Sequence, residues 1–388
     1  MDAGNFPRTA FGAARRTAGP HGYVAYFPAP LPRAFELPAR LVPKLADAEA
    51  ALGRLAGVGQ LLPNPHLLIR PYLLREAVAS TMIEGTQASL AEIFELRAAG
   101  DRPNADVEEV LAYVDAMEWA VTAAPRLPIS TRMLLEAHRR LLSGVRGADR
   151  RPGELRSTQN WIGRPGSTVE TASFVPPPPD QLAAALTDWE RFANEDPEMP
   201  LLVQDALLHV QFETIHPFLD GNGRLGRLLL VLFLIVRERL TAPLLYLSAG
   251  IERERDRYYA ALNATRTDGD ALPWIELFLD VIRSQSIDAV ARAERIVELR
   301  ERYRTVATEL GSVNALQVVD LMCENPIVTS RLVEGRLGVA RPTALRLLRQ
   351  LGDAGLLEEA AQGPRGQRRY VARDMLDVVT ADELGGAR

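Results

Sequence analysis

The chain of 388 residues is 47% hydrophobic and 24% charged, an ordinary globular composition with enough apolar mass for a sizeable core, and its length suits two or three domains. A formal net charge of −5 excludes a global basic field for gathering nucleic acid, so any such binding has to come from a local patch. The single cysteine, Cys323, excludes an internal disulfide, and no Cys/His cluster points to zinc. The longest apolar run, Leu228 to Val236, falls well short of the ~20 residues of a membrane span. The N-terminus lacks the apolar core of a secretory signal. These features predict a cytoplasmic protein with no membrane partner.

Residues 1–36, rich in Gly, Pro and Arg and without periodicity, read as an irregular N-terminal arm. A mainly α chain follows. Helices are expected at about 38–57 and 69–85, and Ser89 with Glu92 forms a capping box opening a helix that stops near Gly100. Asp106 with Glu109 repeats that signature for a helix to about Ala123, and Ser130 caps the next, which ends at Ser143-Gly144. Short strand-like runs at Gln159–Gly163 and Ala172–Val175 flank Arg164-Pro-Gly-Ser167 and predict a β-hairpin, closed by Pro176 to Pro179. Helices then fill 180–194, 200–214, 225–239 and 252–266; the segment 273–310 reads as more than one helix or as a connector. The last part changes character. Helices at 313–323, 330–336 and from Arg341 to about Ala354 precede two strands, 356–360 and 368–372, around Gly363-Pro-Arg-Gly366, a winged helix-turn-helix layout. The resulting division is 1–36 arm, 37–125 N-terminal helical region, 126–310 helical core with a small β-hairpin, and 311–388 winged helix-turn-helix domain.

Chemistry concentrates in His216-Pro-Phe-Leu-Asp220-Gly-Asn-Gly-Arg224-Leu-Gly-Arg227. This loop leads into the N-terminus of a buried helix, where free N–H groups and the helix dipole attract anions. Gly221 and Gly223 let the backbone turn tightly and approach a ligand, and successive N–H groups in such a turn form a nest for phosphate oxygens. Arg224 and Arg227, three apart, can grip more of those oxygens. Asp220 supplies a hard oxygen for Mg²⁺, and His216 is a base able to take a proton from an attacking hydroxyl. A calcium loop counted from Asp220 needs Gly at position six and Glu at twelve, where Leu225 and Val231 stand, and the Gly-Lys-Ser/Thr of a Walker loop is missing.

Residues 216–227 resemble the Fic signature His-Pro-Phe-x-(Asp/Glu)-Gly-Asn-Gly-Arg-x-x-Arg at every fixed place. Arg146-Gly147, Pro152-Gly-Glu-Leu-Arg156, Asn160-Trp-Ile-Gly163 and Phe174-Val-Pro-Pro177 resemble the family's flap region, and the likeness extends over about 37–310. The resemblance implies a Fic-fold helical core and a protein adenylyltransferase that moves AMP from ATP to a Ser, Thr or Tyr hydroxyl of a target protein. His216 would be the general base and Asp220 the ligand of Mg²⁺, with Mn²⁺ as its substitute. Gly221, Asn222, Gly223 and Arg224 would cradle phosphates, and Arg227 would hold the γ-phosphate. The flap, with Phe174 and Val175 in its second half, would pair with an extended target segment. Ser80-Thr-Met-Ile-Glu84-Gly85 resembles the family's inhibitory helix, in which the Glu pairs with the second Arg of the loop, here Arg227. In some relatives this Glu also helps remove AMP.

Arg341, Arg346 and Arg349 lie on the expected recognition helix, and Arg365, Arg368 and Arg369 on the expected wing, a local basic patch suited to DNA phosphates, with protein packing as the alternative. Two other functions stay open: a nucleotide-sensing transcription regulator on a Fic fold, and transfer of another nucleotide. An intact His216 favours the enzyme over the sensor. Assembly into a homodimer is left open.

Overall fold

The structure, a computed structural model, describes residues 1–19, 21–61, 66–360 and 367–381. The N-terminal arm is not irregular. It forms an antiparallel hairpin of β1 (Gly12–Arg16) and β2 (Val24–Pro28), with Gly12 opposite Pro28 and Arg16 opposite Val24. Val24, Tyr26 and Phe27 favour an extended chain, a signal that the surrounding Gly, Pro and Arg obscure. The hairpin is stable because it has something to pack on: Phe6, Tyr26 and Phe174 meet with ring centroids 5.7 to 6.0 Å apart.

Helices α1 (Val42–Leu61) and α2 (His66–Ile83) come next. The Ser89 hydroxyl accepts the Glu92 N–H to start α3 (Leu90–Ala99), which stops at Gly100 with φ 64°, as the capping pattern predicts. The start of α4 (Ala105–Ala123) corrects the sequence reading: Asn104, not Asp106, is the cap, accepting the Val107 N–H. Asp106 instead accepts the Gln87 N–H, and Glu109 is buried, so both carboxylates assigned to a capping box serve tertiary contacts. Ser130 caps α5 (Thr131–Leu141) as expected.

The expected hairpin at 159–175 shrinks to one bridge, in which Ile162 and Phe174 exchange N–H···O bonds of 2.8 and 3.0 Å. One residue further on, the Val175 carbonyl accepts the Tyr26 N–H of β2 at 2.8 Å, so the N-terminal hairpin takes the pairing that a longer flap would need. Next come α6 (Leu182–Asn194), α7 (Leu201–Ile215) and α8 (Asn222–Val236). Both α7 and α8 are buried on nearly every side, which explains their unbroken apolar pattern. After α9 (Leu247–Arg253) and α10 (Arg255–Thr267), α11 (Leu272–Glu309) is a single helix of 38 residues rather than several elements. At 1.5 Å per residue it spans roughly 57 Å and joins the two halves of the molecule.

The final part contains α12 (Val313–Glu324), β3 (Ile327–Val328), α13 (Ser330–Leu337), α14 (Arg341–Asp353), β4 (Glu358–Ala360), β5 (Arg369–Val371) and α15 (Arg373–Thr380). The three strands form an antiparallel sheet in the order β3-β5-β4. The expected helices and closing strands are present, and β3 and α15 are additions to them; Arg365 lies outside the described residues. This part is fastened to α3: the Asn325 amide donates to Phe94 O at 3.2 Å, Arg331 to Ala99 O at 3.2 Å, and Arg369 pairs with Glu95 at 2.8 Å. One hydrophobic cluster runs from Phe11 to Val379 across both halves.

Candidate active site

The loop between α7 and α8 is built by backbone turns that its residues permit. His216 ends α7 in the left-handed region, at φ 48° and ψ 60°, and Gly221, at φ 76°, starts α8. Asn222 braces the loop from within: its Oδ1 accepts the Phe218 N–H and its Nδ2 donates to Phe218 O, both at 2.9 Å. Its side chain is thus committed to the loop. From outside, Asn160 donates to Phe218 O at 2.8 Å, and Arg156 donates to His216 O at 2.9 Å. His138 stacks on Phe218 with centroids 3.8 Å apart. Its Nδ1 accepts the Gly153 N–H at 2.9 Å, so Nε2 carries the proton and donates to Asp220 O at 3.0 Å. Burial pushes that imidazole down to about 4, which keeps it neutral.

The start of α8 holds a negative charge from elsewhere in the chain. The Glu84 carboxylate, just past the end of α2, receives the Arg227 guanidinium at 2.8 Å. Arg227 also donates to the Ser80 hydroxyl at 3.0 Å and to Ser80 O at 2.8 Å, so Ser80 and Glu84 grip it together. A β-carbon on Gly223 would collide with Glu84 Oε1. The carboxylate therefore sits directly over the first turn of α8, where the free N–H groups and dipole favour an anion. Burial raises the Glu84 carboxyl, but Arg227, and then Arg224 and His216, outweigh it and hold the group below the usual carboxylate range. Burial would lower the Arg227 guanidinium, and Glu84 outweighs that in turn and raises it.

Arg224 is also buried. It pairs with Glu109 at 3.4 Å and with Asp220 at 3.5 Å. Glu109 is a hub the sequence did not reveal: it accepts the Thr86 hydroxyl at 2.8 Å and pairs with Arg146 at 3.1 Å. The only sequence signal was an acidic residue on the apolar side of α4, misassigned there to a cap. Asp220 keeps a half-exposed carboxylate whose Oδ1 accepts the Gly221 N–H at 2.6 Å. One carboxylate at the edge of an anion nest suits Mg²⁺, which takes one or two carboxylates and fills its other places with water and substrate phosphates.

His216 lies largely inside, and its Nδ1 is buried 3.9 Å from Glu213 Oε2. Burial, with Arg266 and Arg156 adding to it, pushes the imidazole down to about 3, so it is neutral near pH 7 and free to accept a proton. The structure thus brings His216, Asp220, Gly221, Asn222, Gly223, Arg224 and Arg227 together with Ser80 and Glu84. It does not place Phe174 and Val175 at a docking surface. They are 2% and 0% exposed, Phe174 lies under Arg266 at 4.2 Å, and both pack on the N-terminal hairpin. The exposed apolar side chains of the flap are Trp161 and Ile162, on its other arm.

Sequence comparison accounts for this arrangement. Residues 42–122 match the Fic/DOC family N-terminal model and residues 128–234 the Fic/DOC family model; Ser80 and Glu84 fall in the first match and the His216 loop in the second. Proteins named Protein adenylyltransferase Fic from Drosophila yakuba and Drosophila grimshawi are each 31% identical over 208 residues, 52% of this chain and 38% and 39% of theirs. The chain thus matches about two fifths of the length of these relatives. Among solved structures, a Fic family protein from Desulfovibrio desulfuricans G20 superposes with a TM-score of 0.56 at 24% identity, over 88% of this chain and 98% of that one. Fic-1 (residues 134–508) from C. elegans gives 0.51 at 22% identity, over 66% and 76%. These likenesses show a shared fold.

Proposed function

We propose that the chain is a protein adenylyltransferase that moves AMP from ATP to a Ser, Thr or Tyr hydroxyl of a target protein, and that Glu84 restrains it. The observation carrying this reading is the anion seat at the start of α8, which has a base on one side, a carboxylate for a metal on the other, and a glutamate from the chain itself in the phosphate's place. The name shared by the Drosophila relatives supports it. In this reading the backbone at Gly221 to Gly223 and the two arginines hold the triphosphate once Glu84 swings away. The target oxygen attacks the α-phosphorus, its proton passes to His216 Nε2, and the bond from the α-phosphorus to the bridging oxygen breaks as pyrophosphate leaves. Asp220 would hold Mg²⁺, which would supply positive charge to offset that of the phosphates.

Intact mass spectrometry after incubation with Mg²⁺-ATP and a cell extract tests this reading. The Glu84→Gly protein should place one AMP mass on itself or on an extract protein, and His216→Ala should place none. ATP binding without any AMP transfer would favour the nucleotide-sensing regulator instead.

The C-terminal part supports a second function. We propose that residues 311–381 form a winged helix that binds duplex DNA. A groove of about 570 Å³ beside α14 is lined by Arg331, Arg341, Arg349 and Arg368, with Asp101 and Glu334 as its acidic members. Arg341, Arg346 and Arg349 are exposed on α14 and have no ion-pair partner among the described residues. Arg341 and Arg349 lie eight residues, about 12 Å, apart along the helix, comparable to the width of a major groove. Fluorescence anisotropy on a labelled duplex over a salt series should show log-linear weakening, and Arg349→Ala should reduce the slope by about one. Binding that ignores both salt and this substitution would refute it.

A further inference from the structure

Glu213 is buried one turn before His216 and belongs to no motif noted in the sequence. Its Oε2 stands 3.9 Å from His216 Nδ1, a buried nitrogen with no well-formed hydrogen bond although the Glu213 backbone carbonyl also acts on the ring, and Glu213 Oε1 has no hydrogen-bond partner. Buried polar atoms are nearly always satisfied, so an unpartnered carboxyl oxygen against Gly226 and an unpartnered ring nitrogen facing the other oxygen of the same carboxyl call for a functional explanation. The carboxyl lies against Gly226 of α8, where a β-carbon would collide with it. The charged and titratable groups around it are Arg227 of α8, Arg266, Tyr258 and Tyr259 of α10, Glu84 beyond α2, and His216 itself. His209, the neighbouring histidine of α7, is already paired with Gly226 O at 3.1 Å and Tyr258 at 2.9 Å. His216 has no such pairing for its Nδ1.

We propose that Glu213 is a positioning residue for His216: its carboxylate accepts the Nδ1–H, fixes the tautomer with Nε2 unprotonated, and offsets the positive charge when Nε2 takes the target's proton. This rests on the reading of His216 as the base of AMP transfer. A shift of about 1 Å brings the 3.9 Å separation to a hydrogen bond, and long apo geometry that tightens with substrate is common in acid–base sites. Proton balance is kept. The hydroxyl proton rests on Nε2, the Nδ1 proton stays shared with Glu213, and the imidazolium discharges to solvent after pyrophosphate leaves. Burial raises the Glu213 carboxyl to about 7, with Arg227 opposing, so the group has ionised and neutral forms near physiological pH.

Two variants in the Glu84→Gly background test the proposal. Glu213→Gln keeps an oxygen that can accept the Nδ1–H but removes the charge. It should lower kcat roughly 10- to 100-fold at unchanged KM for ATP, and remove the fall in kcat that the parent shows as the Glu213 carboxylate is protonated below about pH 7. Glu213→Leu removes the acceptor as well. Nitrogen-15 NMR of the His216 ring should then show a mixture of tautomers where the parent shows Nδ1–H alone. A Leu variant that is folded by thermal melting and keeps the parent's tautomer and kcat overturns the proposal. The NMR reading needs no turnover. If the Glu84→Gly parent transfers no AMP, the functional reading fails while the ring's tautomer still decides the Glu213 pairing.

Discussion

Removing Glu84 should convert a restrained protein into an active one, and the structure sets the size of the effect. Arg227 is 1% exposed and meets the Glu84 carboxylate at 2.8 Å, with Glu84 itself about a third exposed. A hydrogen bond to a charged group contributes about 1.5–3 kcal/mol net, and partial exposure of the carboxylate favours the lower half of that range. In the proposed reading ATP has to displace this contact to seat a γ-phosphate on Arg227, so its loss should strengthen productive ATP binding by about 10- to 40-fold at 1.4 kcal/mol per factor of ten. Two substitutions separate charge from bulk. Glu84→Gly removes both, while Glu84→Gln keeps the size and loses the charge. Isothermal titration with Mg²⁺-ATP and transfer of label from α-³²P-ATP read the two consequences. Glu84→Gly should gain in both assays, and Glu84→Gln should fall between it and the parent if bulk over Gly223 contributes. Equal ATP affinity and equal transfer in all three proteins would refute the reasoning, because the ion pair would then not compete with the nucleotide.

Other consequences follow from the same geometry. His216→Ala in the Glu84→Gly background should lower transfer by about 10²–10⁴-fold, the usual contribution of a general base, and leave ATP affinity nearly unchanged by titration. Asn222→Ala removes two hydrogen bonds inside the loop and leaves the buried Phe218 N–H without a partner, while Phe218 O keeps Asn160; it should cost about 1–3 kcal/mol in denaturant melts and weaken ATP binding. Burial raises Glu76 and Glu213 from 4.5 to about 7 in the fold, so the folded chain keeps protons there that the unfolded chain releases. Their contribution to stability is complete below about pH 4.5 and is lost as pH rises through about 7, and Glu76→Gln should flatten that part of a plot of Tm against pH.

The helices were largely legible because most obey a 3.6-residue pattern or announce their ends, as Ser89, Ser130 and Gly100 do through local hydrogen bonds and a left-handed backbone. Errors came where a local signal was spent on a distant partner. Asp106 and Glu109 look like a capping box, yet one binds Gln87 and the other Arg146, Arg224 and Thr86. The arm reads as irregular because its hairpin is held by Phe174, more than a hundred residues away, and the flap reads as a longer hairpin because its second arm was not known to pair with Tyr26.

The sequence by itself determined the chemistry of the loop from His216 to Arg227, since tight turns, a helix start, a base and a carboxylate all lie within twelve consecutive residues and need no long-range contact to be recognised. Only the tertiary structure decided where the opposing groups lie. Glu84 reaches Gly223 and Arg227 because α2 packs beside α8, and Glu109 reaches Arg224 because α4 does. Glu213 is the exception: spacing of three residues along α7 already sets it beside His216, and the tertiary structure decides only that the carboxyl is buried there. Charge interactions act through space, and spacing along the chain records only those within a turn or two of the same helix.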